Sequence, residues 1–224
     1  AAIAAEAAFV ALLQPRQRLA VRVRVATGGR DGVVDDRSAG DGGKPNEGSP
    51  AGPGTDSYAA MVARAEGLIP KLRDRASKTE ELRRLPPETE RDLHDAGLFR
   101  IVQPRRVGGS ELDYVALVDC ADALGQADAS VAWNFANLAS HHWMLGMFDR
   151  HAQDAVWDRD ASSLIASSFI FPAGRAKKVD GGYVLNGHWP FSSGVESCDW
   201  NMLASIVSPE DEADGIEYRI FLLN

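Results

Sequence analysis

Two cysteines in 224 residues, Cys120 and Cys198, are too few and too far apart for a disulfide scaffold, and no CxxC pair is present. That usage suits a reducing cytosol. Basic residues are also in deficit, 24 Lys and Arg against 32 Asp and Glu, for a net charge of −8. An acidic chain of this kind is a poor general nucleic-acid binder. No apolar run approaches the roughly 18 residues of a membrane-spanning helix. A P-loop, a GxGxxG after a strand, an HExxH and a GxSxG are all missing, which removes the common phosphate, zinc-protease and esterase signatures. Before Tyr58 the only aromatic is Phe9.

That last scarcity divides the chain. Residues 28–54 hold nine glycines and three prolines. Such a stretch buries too little apolar area to offset its ordering entropy, so 1–54 is expected to be a disordered, low-complexity extension. Its alanine-rich start is followed, not preceded, by Arg16, Arg18, Arg22 and Arg24, the wrong order for a secretory signal.

From residue 55 to about 160 the apolar spacing is helical. Thr55 or Asp56 is positioned to cap a helix carrying Tyr58, Val62, Ala65 and Ile69, with Pro70 as a kink or break. Pro86-Pro87-Glu88 opens a second helix ending near Gly97. Asp113 and Asp128 begin two more, and HAQDAVW forms a last one. Gly108-Gly109 reads as a turn between helices, since two glycines are too few for a phosphate cradle. After Asp160 the pattern becomes strand-like: SSLIASSFIF, a hairpin around Asp180-Gly181-Gly182, NMLASIVS and IEYRIFLL. Helices followed by strands predict an α+β fold, with a helical domain over 55–160 and a partial β-domain over 161–224.

Chemistry is less legible. The adjacent His141 and His142 point about 100° apart on a helix, which argues against a shared metal, and neither cysteine has ligand spacing to them. Two features stand out. Trp133 and His141 lie eight residues apart on one helix, on nearly one face and ~12 Å apart. The stretch WPFSSG, residues 189–194, sets two rings and two hydroxyls at a strand end, where they can frame a heteroaromatic ligand or simply lead a hydrophobic strand into a turn.

The order of segments and the stretch KKVDGGYVLNGHWPFSSGVESCDWNMLASIV resemble the acyl-CoA dehydrogenase superfamily, from about Pro86 to Leu223. Gly182, Tyr183, Leu185, Asn186, Gly187 and Gly194 follow the family pattern. Trp189-Pro190-Phe191-Ser192-Ser193 replaces its Trp-Ile-Thr segment. That replacement, with ASVAW and HHW upstream, resembles one branch, the oxygenase components of two-component flavin-dependent aromatic monooxygenases. SSFIFPAGRAKKV lacks the GSD signature of the dehydrogenases.

The resemblance implies an N-terminal helical domain, an antiparallel β-domain, and a C-terminal four-helix bundle that this sequence does not reach. It implies reduced FMN or FAD supplied by a separate NAD(P)H-dependent flavin reductase. Reaction with O₂ through a C4a-(hydro)peroxyflavin would then hydroxylate a small phenolic or aromatic substrate, in a cytoplasmic homotetramer. By the same carry-over, His141 and Ser192 are the catalytic candidates. His141 would act on the phenol and Ser192 near flavin N5. Trp133, Ser167, Ser168, Trp189, Phe191 and Ser192 are the cofactor-binding candidates, with no metal. Two alternatives stay open: an FAD flavoprotein of the acyl-CoA dehydrogenase type oxidising a Cα–Cβ bond, and a non-catalytic truncated remnant.

Overall fold

The computed structural model describes residues 23–26, 56–180, 182–208 and 215–224. Helices α1 (Tyr58–Leu82), α2 (Pro87–Asp95), α3 (Tyr114–Gly125), α4 (Ala129–Leu145) and α5 (Arg150–Trp157) come before most of the sheet. Among the described residues the strands are β1 (Val23–Ala26), β2 (Ile165–Ser168), β3 (Gly174–Val179), β4 (Gly182–Gly187), β5 (Trp200–Val207) and β6 (Glu217–Leu223).

Local chemistry accounts for most helix ends. Asp128 caps α4 by accepting from the backbone N–H groups of Ser130 and Val131, at 2.8 and 3.3 Å. Asp149 caps α5 through Ala152 at 3.0 Å. Pro87 sits at the start of α2, where its missing N–H costs nothing. The cap of α1 is Ser57, whose Oγ accepts from Ala60 at 3.2 Å, and not Asp56. Asp56 is drawn off into a two-point ion pair with Arg64, both contacts at 2.7 Å; Thr55 lies outside the described residues. The expected break at Pro70 does not occur, and α1 runs through it. Pro70 and Glu66 are both on the solvent side. The Glu66 carbonyl that loses its N–H partner can therefore bond water.

The helices close around one apolar cluster. Met61, Ala65, Leu68 and Leu72 of α1 meet Leu117, Cys120 and Leu124 of α3 and Val131, Phe135 and Leu138 of α4. Burial of each large side chain contributes roughly 1.5–3 kcal/mol. Between α2 and α3 the chain turns through Leu98–Arg100 and Arg105–Val107. Gly109 is required there by close approach: a Cβ would stand 2.1 Å from the Gln103 carbonyl oxygen.

The sheet is mixed, which corrects the expected antiparallel domain. β3–β4, β1–β4 and β5–β6 are antiparallel, but β2 and β3 both run parallel to β5. β6 occupies one side of β5 along Asn201–Val207. The other side is shared end to end, by β2 against Trp200–Leu203 and by β3 against Ile206–Val207. The Phe171–Ala173 turn separates β2 from β3. A parallel pair needs a long connection between its strands, and neither β2 nor β3 is next to β5 in the chain, so residue-level alternation could not reveal it.

Val23–Ala26 also departs from the expected extension over 1–54, because it pairs with Gly182–Leu185 of β4. Alternating Val-Arg-Val suits a strand, and β4 has an edge to satisfy. The rest of 1–54 lies outside the described residues. Leu145, Val156 and Trp157 pack on Ile165 and Met202, joining the helices to the sheet. Among the described residues no helix is long and apolar enough to cross a membrane.

Candidate active site

The loop from Trp189 to Gly194 crosses the junction between α4 and the sheet and is tied down at four points. Ser168 Oγ donates to the Pro190 carbonyl at 2.6 Å. Trp189 Nε1 donates to the Ala204 carbonyl at 2.7 Å. Asn201 Nδ2 donates to Ser192 Oγ at 3.2 Å, and Trp133 Nε1 donates to Ser193 Oγ at 3.0 Å. The backbone turns left-handed on both sides of the serines, with strain at Phe191. Phe191 has φ +60° and Gly194 φ +76°. A left-handed phenylalanine costs roughly 1–2 kcal/mol, yet its ring is 85% exposed, so burial of that ring does not offset the strain. A strained residue held beside two hydroxyls makes the loop a candidate functional site.

His141 does not share Trp133's environment. Eight residues advance a helix by about 80° beyond two full turns. His141 faces the sheet at 3% exposure, whereas Trp133 is 63% exposed. His141 Nδ1 lies 2.6 Å from the Ile165 carbonyl. A carbonyl can only accept, so Nδ1 carries the hydrogen and Nε2 holds the lone pair in the neutral ring. Burial pushes the His141 pKa below its ordinary value, against the opposing effect of the hydrogen bond that His141 donates to the Ile165 carbonyl. The imidazole is thus a neutral base at physiological pH. Phe169, partly exposed, meets its ring edge-on with centroids 6.1 Å apart.

The remaining expected residues separate by role. Ser168 is buried and its hydrogen is committed to Pro190. Ser167, one residue earlier on the opposite face of β2, is half-buried and makes no side-chain bond to the described residues. Trp189 is packed into the sheet: its ring lies where a Cβ on Gly174 or Gly187 would be, and it abuts the Tyr183–Leu185 cluster. Phe191, Ser192 and Trp133 come together with Ser193, while His141 stands on the inner face of α4.

Sequence reasoning missed Asn201; it noticed Ser193 as a hydroxyl of WPFSSG and His142 as a neighbour of His141, but gave neither a site role. Asn201 interrupts an apolar strand, a visible signal, and its Oδ1 is buried without a partner among the described residues. His142 is completely buried. Its Nδ1 accepts from the Trp157 indole at 3.3 Å, with Gln103 Nε2 at 3.4 Å. Burial first, then the nearby Arg100 charge, takes its pKa down to about 3. Burial raises the Cys120 thiol to about 11, which makes it a poor nucleophile at neutral pH. No group of three or more potential metal ligands occurs among the described residues. A cleft of about 430 Å³ between α2 and the 195–197 turn, lined by Arg84, Glu90, Arg91 and His94 among others, contains none of the expected site residues.

Residues 59–159 match the family described as acyl-CoA dehydrogenase, N-terminal domain. Over those residues the chain is similar to the N-terminal domain of acyl-CoA dehydrogenases. The oxygenase subunit HsaA of a flavin-dependent monooxygenase from Mycobacterium tuberculosis is 38% identical over 164 residues, 73% of this chain and 41% of HsaA. The crystal structure of HsaA gives a TM-score of 0.71 at 34% identity, over 75% of this chain and 45% of that one. The oxygenase component of an FADH2-dependent resorcinol hydroxylase from Rhizobium sp. is 37% identical over 169 residues, 75% of this chain and 41% of its own length. XiaF from Streptomyces sp., solved with FADH2 and glycerol, gives a TM-score of 0.68 at 28% identity, over 74% of this chain and 41% of XiaF. Over about three quarters of this chain the helical domain and the sheet that follows it therefore share the fold of the HsaA and XiaF structures. The chain spans about two fifths of the length of the curated relatives it matches.

Proposed function

We propose that this protein works as the oxygenase component of a two-component monooxygenase, hydroxylating a small phenolic ring with O₂ and reduced flavin from a separate NAD(P)H-dependent reductase in the cytoplasm. The observation that carries the reading is the 189–194 loop: two hydroxyls held by side-chain N–H groups beside exposed aromatic surface. The residues suit a flavin. Neither Ser192 nor Ser193 gives its hydrogen to a protein acceptor among the described residues, and Asn201 Oδ1 is a buried acceptor without a donor. The exposed rings of Trp133 and Phe191 offer flat apolar area to a planar heteroaromatic.

When bound, reduced flavin supplies the activation of O₂ and the transfer of one oxygen atom. The chain's residues bind, orient and move protons. Trp133 and Phe191 border the ring system, Ser192 and Ser193 hydrogen-bond its polar edge, and Ser167 adds a further hydroxyl. Ser168 and Trp189 hold the loop in place through Pro190 and Ala204. His141, neutral and fixed by Ile165, takes the phenol proton at Nε2 and makes the ring more electron-rich. The residues do not discriminate FMN from FAD. Assembly as a homotetramer belongs to the same reading.

The test mixes the protein with photoreduced FMN or FAD, O₂ and a series of phenols, and measures hydroxylated product against H₂O₂. Product formation coupled to flavin oxidation supports the proposal. Acyl-CoA-dependent bleaching of tightly bound FAD, with no phenol hydroxylated, would overturn it in favour of the dehydrogenase chemistry. Ser192→Ala should raise H₂O₂ release while flavin still binds; unchanged coupling would remove Ser192 from the reaction.

A further inference from the structure

Ser192 and Ser193 each receive a hydrogen bond from a side-chain N–H. The Trp133 indole N–H has no acceptor capacity, and Asn201 presents its NH₂ to Ser192 at 3.2 Å. A serine oxygen has one hydrogen and two lone pairs. Once an N–H fills one lone pair, the hydroxyl hydrogen must point elsewhere. Among the described residues no acceptor takes either hydrogen, although both side chains are half-buried. The Asn201 amide is turned so that Oδ1 is left buried and unpaired, an arrangement that packing for stability alone does not favour. The backbone leaves the serines little freedom. Phe191 and Gly194 flank them with positive φ, and a Cβ on Gly194 would come within 3.0 Å of both Asn134 and Leu138.

We propose that Asn201 and Trp133 are positioning residues that hold Ser192 and Ser193 as a fixed pair of hydroxyl donors for the heteroatom edge of the flavin. This rests on the flavin-dependent reading above. It assigns Asn201 a role that begins in β5, away from the loop motif. It also gives the Trp133 indole N–H a task separate from its ring face. Two donors set in advance lower the ordering cost of binding and discriminate against ligands that present a donor in the same place.

Asn201→Asp keeps the shape but replaces the NH₂ by an acceptor, so the Ser192 hydrogen turns inward. Trp133→Phe keeps apolar ring area and deletes the indole N–H. Titration with FMN, oxidised and anaerobically reduced, followed by absorbance and fluorescence, should show each variant binding about 3- to 10-fold more weakly, the span of one hydrogen bond. The absorbance of bound FMN should also shift. In a Ser192→Ala background Asn201→Asp should have no further effect, and in a Ser193→Ala background Trp133→Phe should weaken binding less than it does alone. Equal weakening with and without the serine overturns the proposal. NMR of the free protein separates this from failure of the functional reading: Ser192→Ala should move the Asn201 side-chain amide protons whether or not flavin binds. An unmoved amide overturns the positioning role. Absence of FMN and FAD binding by the wild type overturns the flavin reading instead. Asn201→Ala, with circular dichroism as a check on folding, carries the same test if the aspartate variant does not fold.

Discussion

His142 gives the sharpest physical prediction, because a buried imidazole that stays neutral makes folding depend on pH. Its pKa is about 3 in the folded protein against 6.5 unfolded. Below pH 6.5 the unfolded chain takes up a proton at this site that the folded chain refuses, so acid favours unfolding. The contribution is fully present above pH 6.5 and is lost as pH falls toward 3. Between pH 7.5 and 5.0 the loss from this residue is about 2 kcal/mol, and it stays near that value for any folded pKa at or below about 4. His141 and His94 are shifted in the same direction, both mainly by burial, and add to the wild-type slope. His142→Asn removes the titration while an amide oxygen can still accept from the Trp157 indole. Urea unfolding at pH 7.5, 6.5 and 5.0 should show wild-type stability falling faster than the variant's by about 2 kcal/mol over that range, with unchanged m-values. Equal pH slopes in the two proteins would refute the assignment of a neutral, desolvated His142.

Two further outcomes follow from the geometry. His141→Asn keeps a donor for the Ile165 carbonyl and deletes Nε2, so phenol hydroxylation should fall about 10²- to 10⁴-fold with flavin affinity unchanged; parallel loss of flavin binding would show that His141 is structural. Gly109→Ala drives a methyl group against the Gln103 carbonyl and should lower stability by about 2–3 kcal/mol in thermal melts. A neutral result there would mean that the 103–109 turn is not held as the structure describes.

The helices were readable because their signals are local. Asp128 caps α4 two and three residues from the N–H groups it satisfies, and Pro87 marks the start of α2 within one turn. The Asp180-Gly181-Gly182 signal predicted the β3–β4 hairpin because the two strands are neighbours in the chain. WPFSSG was recognisable as a candidate site because its residue types are unusual at a strand end. Where the reading failed, a competing partner was out of view. Asp56 lost the cap to Ser57 because Arg64, two turns on, paired with it.

By itself the sequence determined the order of the helices and of strands β2 to β6, the Asp128 cap, and the residue types of the candidate site. Only the tertiary structure decided which of them face one another. The 80° of helix rotation between Trp133 and His141 sends one toward the serine loop and the other into the sheet. The parallel pairing of β2 with β5 brings Ser168 and Asn201 to the same loop across more than thirty residues of chain. The Val23–Ala26 strand finds β4 from still farther away. Periodicity records the face on which a side chain sits; the element that comes to cover that face is settled by long-range packing, which no local pattern encodes.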